Sequence, residues 1–237
     1  MNIFPAIDLL GGKAVRLYKG DYDQVTVYSD NPPELCSSFE NAGAKYLHIV
    51  DLDGAKTGET PNIDVVRAIV SSTSLFTEIG GGIRSMETVK KYIDAGVDRV
   101  ILGTAAVTDP EFLASALSEY GSKIAVGVDI KDGMVAIKGW TEKSELSGEE
   151  FCKTLADMGV KTIICTDISK DGAMMGTNLD LYSRLSSTLS IDIVASGGVS
   201  TIDDVKRLRS MDLYGCIIGK AYYTGAINLT EAIEVAK

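Results

Sequence analysis

Short apolar segments alternate with amphipathic segments along the whole chain. The apolar segments are nearly continuous rather than strictly alternating, which is typical of parallel strands covered on both faces. Eight of them predict β-strands, at residues 3–8, 46–51, 75–80, 99–103, 123–129, 161–167, 191–196 and 214–219.

The segments between these strands predict helices, and the clearest are residues 85–96, 109–121 and 201–211. Each begins with a capping residue or an acidic first turn, and the first two end at glycine. Eight strand–helix pairs favour a closed (β/α)8 barrel over an open doubly wound sheet. The chain has 237 residues, close to the roughly 250 of one such barrel. We therefore expect a single α/β domain over residues 1–237.

The second half of the chain resembles the first. LFTEIGGGIRSMETVKKYIDAGVDRVILG reappears, altered, as IDIVASGGVSTIDDVKRLRSMDLYGCIIG. Gly81 then corresponds to Gly197 and Asp51 to Asp167, in both cases 197 − 81 = 167 − 51 = 116 residues later. The constant offset favours duplication over chance similarity of βα units. It predicts two half-barrels, at approximately residues 1–120 and 121–237.

Two aspartates stand at the ends of predicted strands one and five. Asp8 in AIDLLGG matches Asp129 in GVDIKDG, 129 − 8 = 121 residues later. Barrel enzymes carry their active sites at the carboxyl ends of the strands, and strands one and five face each other. Two opposed carboxylates suit a reaction that gives one proton and takes another. The alternative is that each aspartate only caps a turn, and the repetition favours catalysis.

Glycine-rich strand ends predict two phosphate sites on opposite sides of the barrel mouth. Glycine between a strand and a helix lets backbone N–H groups approach a phosphate. Tight turns alone are the alternative, and for Arg84 the alternative is a surface ion pair. Lys220 is also a Schiff-base candidate, although nothing in the sequence indicates a lowered pKa. The predicted phosphate-binding residues are Gly81, Gly82, Arg84, Gly103 and Thr104 in the first half, and Gly197, Gly198, Gly219 and Lys220 in the second.

Five further residues are predicted to support the site. His48, the only histidine, is equally compatible with packing inside its strand and with a substrate contact. Trp140, the only tryptophan, lies in a polar loop, where we favour stacking on an aromatic ligand over covering the barrel. Thr166 and Asp171 flank the end of strand six and are candidates to hold a catalytic group, although Asp171 also suits an Asx turn. Gly176 belongs to the same segment.

Composition excludes several classes of protein. The net charge is −10, from 23 Lys+Arg against 33 Asp+Glu, so a nucleic-acid partner is not expected. The chain shows neither a signal-peptide pattern nor a long apolar run, so we expect no membrane association and a cytoplasmic protein. One histidine and four scattered cysteines argue against a metal site and against a zinc-dependent epimerase, and favour reduced, buried thiols. GGGIRS lacks the dinucleotide-binding spacing. No metal and no cofactor are expected.

These segments together resemble the ProFAR isomerase family of histidine biosynthesis. The resemblance runs essentially end to end, in the same order, through FPAIDLLGGKAVRLYKGDY, HIVDLDGAKTG, EIGGGIR, VILGTAAV, VGVDIKDG, TDISKDGAMMGTN, ASGGVS and IIGKA. It implies an Amadori rearrangement of an aminoaldose to an aminoketose, on a substrate with a ribose phosphate at each end and an imidazole carboxamide between. It also implies that Asp129 is the general acid, Asp8 the general base and Trp140 a stacking residue.

Three other kinds of barrel protein remain as alternatives to this family. The sister cyclase shares the barrel and both aspartates but begins with a different first-strand motif and docks a glutaminase. Phosphoribosylanthranilate isomerase, alone or as a second activity, is another alternative, and a catalytically silent phosphate-binding barrel is a third. We expect the isomerase, acting on a small bisphosphate without a cofactor or an obligatory protein partner, as a monomer.

Overall fold

In a computed structural model, which describes residues 1–18 and 20–237, eight parallel strands close into a barrel. The barrel strands are β1 (Asn2–Leu10), β4 (Tyr46–Asp51), β5 (Phe76–Gly80), β6 (Arg99–Leu102), β7 (Ile124–Lys131), β10 (Thr162–Asp167), β11 (Asp192–Ser196) and β12 (Gly215–Ile218). Each of them pairs with the next in this order, and β12 pairs with β1. The prediction of a (β/α)8 barrel is therefore confirmed.

The helices surround the barrel, and the three that the sequence marked most clearly are present, each slightly shorter than predicted. They are capped by the side chains of Ser85, Asp109 and Thr201, and the last of these forms a capping box with Asp204. The helices are α1 (Pro32–Asn41), α2 (Leu52–Thr57), α3 (Ile63–Ser72), α4 (Met86–Asp94), α5 (Thr104–Thr108), α6 (Pro110–Tyr120), α7 (Gly148–Asp157), α8 (Leu179–Thr188), α9 (Ile202–Arg209), α10 (Lys220–Tyr223) and α11 (Leu229–Ala236), with a 3-10 turn at Gly121–Lys123.

Two antiparallel hairpins at the barrel mouth were not predicted. β2 (Lys13–Tyr18) and β3 (Asp21–Ser29) extend β1, whereas β8 (Met134–Ile137) and β9 (Glu142–Ser147) extend β7. Both outer strands, β3 and β9, are largely exposed. They form through strand pairing rather than through burial of an apolar face, so hydrophobic periodicity does not mark them.

The two hairpins begin in the same register. Asp8 pairs with Val15 in the first, and Asp129 pairs with Ala136 in the second. Helix α7 begins 148 − 32 = 116 positions after α1, whereas Asp129 follows Asp8 by 121 positions. The 121 − 116 = 5 additional residues of the first half therefore lie in the stretch that holds its hairpin.

Side chains pack in two layers. A small cluster fills the barrel, and a much larger one lies between the strands and the helices. All four cysteines are free and buried in the outer layer, as expected. Burial raises the pKa of the Cys36 and Cys216 thiols to about 12, so they are unreactive at neutral pH. The inner cluster is Phe4, Ala6, Ile101, Ala125, Ile164, Val194 and Ile217.

Within residues 1–18 and 20–237, no helix is both long enough and apolar enough to cross a membrane.

Candidate active site

Asp8 and Asp129 lie on opposite walls of the barrel mouth, because β1 and β7 are four places apart in the ring of eight. The sequence predicted each aspartate as the last residue of its strand, but β1 continues to Leu10 and β7 to Lys131. Beyond the aspartates the strands still pair with β4 at Leu9 and with β10 at Ile130, and with the hairpins up to their last residues. Both carboxylates therefore sit where barrel and hairpin meet.

Asp8 is held by an arginine of the first hairpin. Arg16 Nη1 lies 3.1 Å from Oδ1 and 3.0 Å from Oδ2 of Asp8, and its Nη2 donates to the Ala6 carbonyl at 3.1 Å. The guanidinium also lies 5.4 Å from the centre of the Tyr223 ring. Burial alone would lower the pKa of Arg16, but the Asp8 carboxylate, the Tyr223 hydroxyl and Asp171 outweigh it and raise that pKa. Asp8 is therefore a carboxylate in an ion pair.

Asp129 has uncharged hydrogen-bond partners. The indole Nε1 of Trp140 donates to Oδ2 at 2.7 Å, and the Thr166 hydroxyl is a second partner. Burial raises the pKa of the Asp129 carboxyl; the bonds from Trp140 and Thr166 and the nearby His48 oppose this without cancelling it. The two aspartates thus differ in environment, which is how one site assigns an acid and a base to the same residue type.

Trp140 lies in the turn between β8 and β9, as predicted, at a positive φ of 71°. Its ring reaches the tip of the first hairpin, since a Cβ added to Gly20 would stand 3.2 Å from the indole. A Cβ at this distance would be tighter than an ordinary van der Waals contact, and the positive φ of 77° at Gly20 also favours glycine. The two hairpins therefore meet over Asp129.

Asp171 is a third carboxylate at the mouth. Its backbone closes the turn after β10 by donating to Asp167 and Ile168. Its side chain makes no Asx turn with any part of the chain that the structure describes. Burial raises the pKa of Asp171, and the neighbouring Asp8 and Asp129 raise it further, while Arg16 and Lys220 oppose them. The sequence predicted that Asp171 holds a catalytic group. In the structure, the pKa of Asp171 depends on both predicted catalytic residues, Asp8 and Asp129.

The glycine pairs after β5 and β11 have a packing role that the sequence did not show. A Cβ on Gly81 would stand 2.2 Å from the Asp51 carbonyl, and one on Gly82 would stand 1.8 Å from the Gly54 carbonyl. In the second half, a Cβ on Gly197 would stand 2.6 Å from the Asp167 carbonyl, and one on Gly198 would stand 2.4 Å from the Gly176 carbonyl. All four of these glycines have positive φ. Close packing against the neighbouring loop therefore requires glycine here, whatever the loops bind.

We expect Gly82→Ala to cost far more stability than Gly103→Ala. The first places a methyl group inside van der Waals contact with a backbone carbonyl at a φ of 70°, so it should cost several kcal/mol or abolish folding. At Gly103 nothing lies within 4 Å of the added Cβ, so that variant carries only the backbone strain of its ψ of −110°, about 1–3 kcal/mol. Thermal unfolding of the two variants measures this difference. Equal melting temperatures would contradict the packing role.

The strand ends at Gly103 and Gly219 share one backbone conformation. Gly103 has φ −99° and ψ −110°, and Gly219 has φ −104° and ψ −105°. A Cβ on Gly219 would stand 2.5 Å from Arg16 Nη2. The Arg16 guanidinium therefore lies between Asp8 and the strand end at Gly219. Thr104 Oγ1 accepts from the Lys138 N–H at 2.9 Å.

The two predicted cations bond to backbone carbonyls. Arg84 Nη2 donates to the Ala55 carbonyl at 3.0 Å, and no carboxylate of the described residues forms an ion pair with Arg84. Lys220 Nζ donates to Gly172 at 2.9 Å. Gly176 has a φ of 82°, and its N–H donates to Ser200 Oγ at 3.2 Å. It thereby fixes the loop that packs on Gly198.

His48 faces the barrel interior, where its Nδ1 lies 2.7 Å from Glu78 Oε1. Among the residues that the structure describes, no three His, Cys, Asp or Glu side chains form a group able to hold a metal ion.

Sequence reasoning missed three charged residues, namely Arg16 beside Asp8, and Glu78 with Arg99 inside the barrel. Each lies in a strand, and two of them interrupt apolar segments, FTEIG and RVIL. A charged residue in a strand that is otherwise buried was the signal available, because such a charge must find a partner.

Comparison with known proteins agrees with this architecture. A family model described as histidine biosynthesis protein matches residues 2–228. A protein of Lactococcus lactis subsp. cremoris is 56% identical over 238 residues, covering 100% of this chain and 97% of the relative. A protein of Clostridium acetobutylicum is 51% identical, covering 99% and 98%, and one of Brachyspira hyodysenteriae is 49% identical, covering 100% of each.

All three relatives carry the name 1-(5-phosphoribosyl)-5-((5-phosphoribosylamino)methylideneamino) imidazole-4-carboxamide isomerase. The family model covers nearly the whole chain, and the identities extend over the full length. This chain therefore belongs to the histidine biosynthesis protein family.

Proposed function

We propose that this protein is an aldose–ketose isomerase that converts the bisphosphorylated aminoaldose ProFAR to the corresponding aminoketose by an Amadori rearrangement. One observation carries the proposal: two opposed carboxyl groups at the barrel mouth, one ion-paired with Arg16 and the other a buried acid bonded to Trp140. The names of the full-length relatives support the same substrate.

The two aspartates divide the proton transfers. Asp129, whose pKa burial raises, gives its proton to the ring oxygen of the aminoaldose ribose, and the ring opens to a protonated Schiff base. Asp8 removes the proton from C2′, and the electron pair of that C–H bond neutralises the iminium to give an enolamine. The enolamine then tautomerises to the aminoketone. The rearrangement is an internal redox change, so its atoms and electrons balance without a cofactor.

The two ends of the substrate fit the two glycine clusters. The cluster around Gly82 and Gly103 and the cluster around Gly198 and Gly219 belong to opposite halves of the chain. Since they occupy matching places in the two proposed half-barrels, a ligand with a phosphate at each end would lay its centre between Asp8 and Asp129. Trp140, which reaches both Asp129 and the first hairpin, would then stack on the imidazole carboxamide.

Asp171 is a second candidate for the general acid. Burial raises its pKa too, and both Asp8 and Asp129 influence it. Asp129 remains our assignment because Trp140 and Thr166 fix its carboxyl group, whereas the Asp171 carboxylate has no hydrogen bond with the described residues. We further propose a monomer that acts in the cytoplasm without a metal, a cofactor or a protein partner.

A side-by-side assay tests the function. The purified chain alone should convert ProFAR to the ketose, and it should be much less active on phosphoribosylanthranilate, which has one phosphate. The loss of one charge-assisted phosphate contact costs about 1.5–3 kcal/mol, or roughly ten- to a hundredfold in kcat/KM. Comparable kcat/KM on both substrates would indicate a bifunctional isomerase. Turnover only with the ketose and ammonium would indicate the sister cyclase.

A further inference from the structure

A buried ion pair inside the barrel has no part in the proton transfers described above. Glu78 is 0% exposed and Arg99 is 3% exposed. Glu78 Oε2 accepts from Arg99 Nε at 2.9 Å and from Nη2 at 2.5 Å, and Arg99 Nη1 donates to Thr162 Oγ1 at 3.1 Å. Replacing a buried ion pair with apolar residues is often neutral or stabilising. Stability alone therefore does not explain the presence of these charges.

The second oxygen of Glu78 holds the only histidine. Glu78 Oε1 lies 2.7 Å from His48 Nδ1. Leu47 and Ile49 on either side are fully buried in the outer layer, so the alternation along β4 turns His48 inward. The 12% of its side chain that remains exposed therefore opens into the barrel. Its register partner on β1 is Ala6, one inward-facing position before Asp8.

The carboxylate also selects the tautomer of the ring. Glu78 is ionised, because His48 and Arg99 outweigh the burial that would raise its pKa, and they lower it. An ionised carboxylate accepts only, so Nδ1 must carry the proton. Nε2 then lacks a hydrogen-bond partner among residues 1–18 and 20–237. This nitrogen accepts a hydrogen bond in the neutral ring and donates one in the charged ring.

The ring also acts on the proposed acid. Burial raises the pKa of Asp129, and His48 is among the groups that oppose this rise. Two acidic groups face the ring from other strands, namely Glu78 on β5, which Arg99 holds, and Asp129 on β7. Asp8 lies two positions beyond Ala6, the register partner of His48 on β1.

We propose that Glu78 is a positioning residue of the reaction, which acts through His48 and is itself held by Arg99. The bond between Nδ1 and Glu78 fixes the His48 ring, so that Nε2 faces the barrel interior as a hydrogen-bond acceptor for the reacting substrate. The inference rests on the proposed isomerase function and adds to it a support inside the barrel.

The test uses the double variant Glu78→Gln/Arg99→Met, which removes both charges together and leaves neither one buried alone. Thr162→Val is the matched control, because it removes a hydrogen bond from the same pair without touching the contact between Glu78 and His48. Nitrogen-15 NMR reports the tautomer directly, since the chain has one histidine. The wild-type ring should carry its proton on Nδ1, and the double variant should lose this preference.

Kinetics complete the test. The double variant should lose about tenfold or more in kcat, because a ring that is no longer held in place is misoriented towards the substrate, with KM nearly unchanged. Thr162→Val should keep both the tautomer and kcat. In His48→Gln, the basic limb of the kcat profile should move to higher pH, because His48 no longer lowers the pKa of Asp129.

Two results would overturn the inference. One is a wild-type ring protonated on Nε2 alone, and the other is an equal loss of kcat in the double variant and in Thr162→Val. A wild-type protein that folds with the Nδ1–H ring but does not isomerise ProFAR would instead overturn the proposed function, and with it any role of Glu78 in that reaction. The ring measurement separates the two failures.

Discussion

Asp8→Asn is expected to lower kcat by a factor on the order of 10² to 10⁴, the range for loss of a general base, while KM changes little. The amide keeps the shape of the carboxylate and can still accept from Arg16, but it does not take up the C2′ proton. Steady-state kinetics on ProFAR measure the effect. A kcat within a few-fold of wild type would remove Asp8 from the proton transfers.

A control is needed because Asp8→Asn also leaves Arg16 without its counter-charge. The guanidinium side chain is mostly buried, so the variant should unfold at a lower temperature. Arg16→Met supplies the comparison, since it removes the same ion pair and leaves the Asp8 carboxylate in place. If the ion pair alone mattered, both variants would lose the same fraction of kcat. If Asp8 is the base, Asp8→Asn should lose far more than Arg16→Met.

Asp129→Asn is expected to have the second large effect, again a loss of kcat on the order of 10² or more, because an amide has no acidic proton for the ring oxygen. In the wild-type protein only protonated Asp129 is active. Activity should therefore fall as pH rises through its pKa, which burial places above the ordinary value of about 3.9. The basic limb of the kcat profile should be absent in Asp129→Asn.

Asp171→Asn is the matched comparison for the acid. It removes a carboxyl group from the same mouth, whose pKa burial also raises, but it leaves Trp140 and Thr166 bonded to Asp129. We expect less than a tenfold loss of kcat and a retained basic limb. The reverse pattern, with the large loss and the missing limb in Asp171→Asn, would reassign the acid to Asp171 and leave Asp129 as a residue that holds Trp140.

The structure adds a second reason for glycine to the one that the sequence suggested. The sequence predicted phosphate sites at Gly81 and Gly82 and at Gly197 and Gly198, and the structure shows a neighbouring loop packed closely against all four. A sequence identifies a residue that has no side chain, but it does not identify which atoms fill the space. Asp171 illustrates the same limit, because its role depends on which charges the fold brings near it.

The amino-acid sequence was enough to predict the eight barrel strands, the capped helices, the buried cysteines and the matched positions of Asp8 and Asp129. These features follow from local periodicity, capping chemistry and repetition, all of which can be read along one chain. Only the folded chain shows the hairpins, the ion pair of Arg16 with Asp8, the bond from Trp140 to Asp129, and the contacts from Arg99 through Glu78 to His48. Those contacts join separate strands and loops across the closed barrel, and hydrophobic periodicity reports only which face of an element is buried, not which partner it meets.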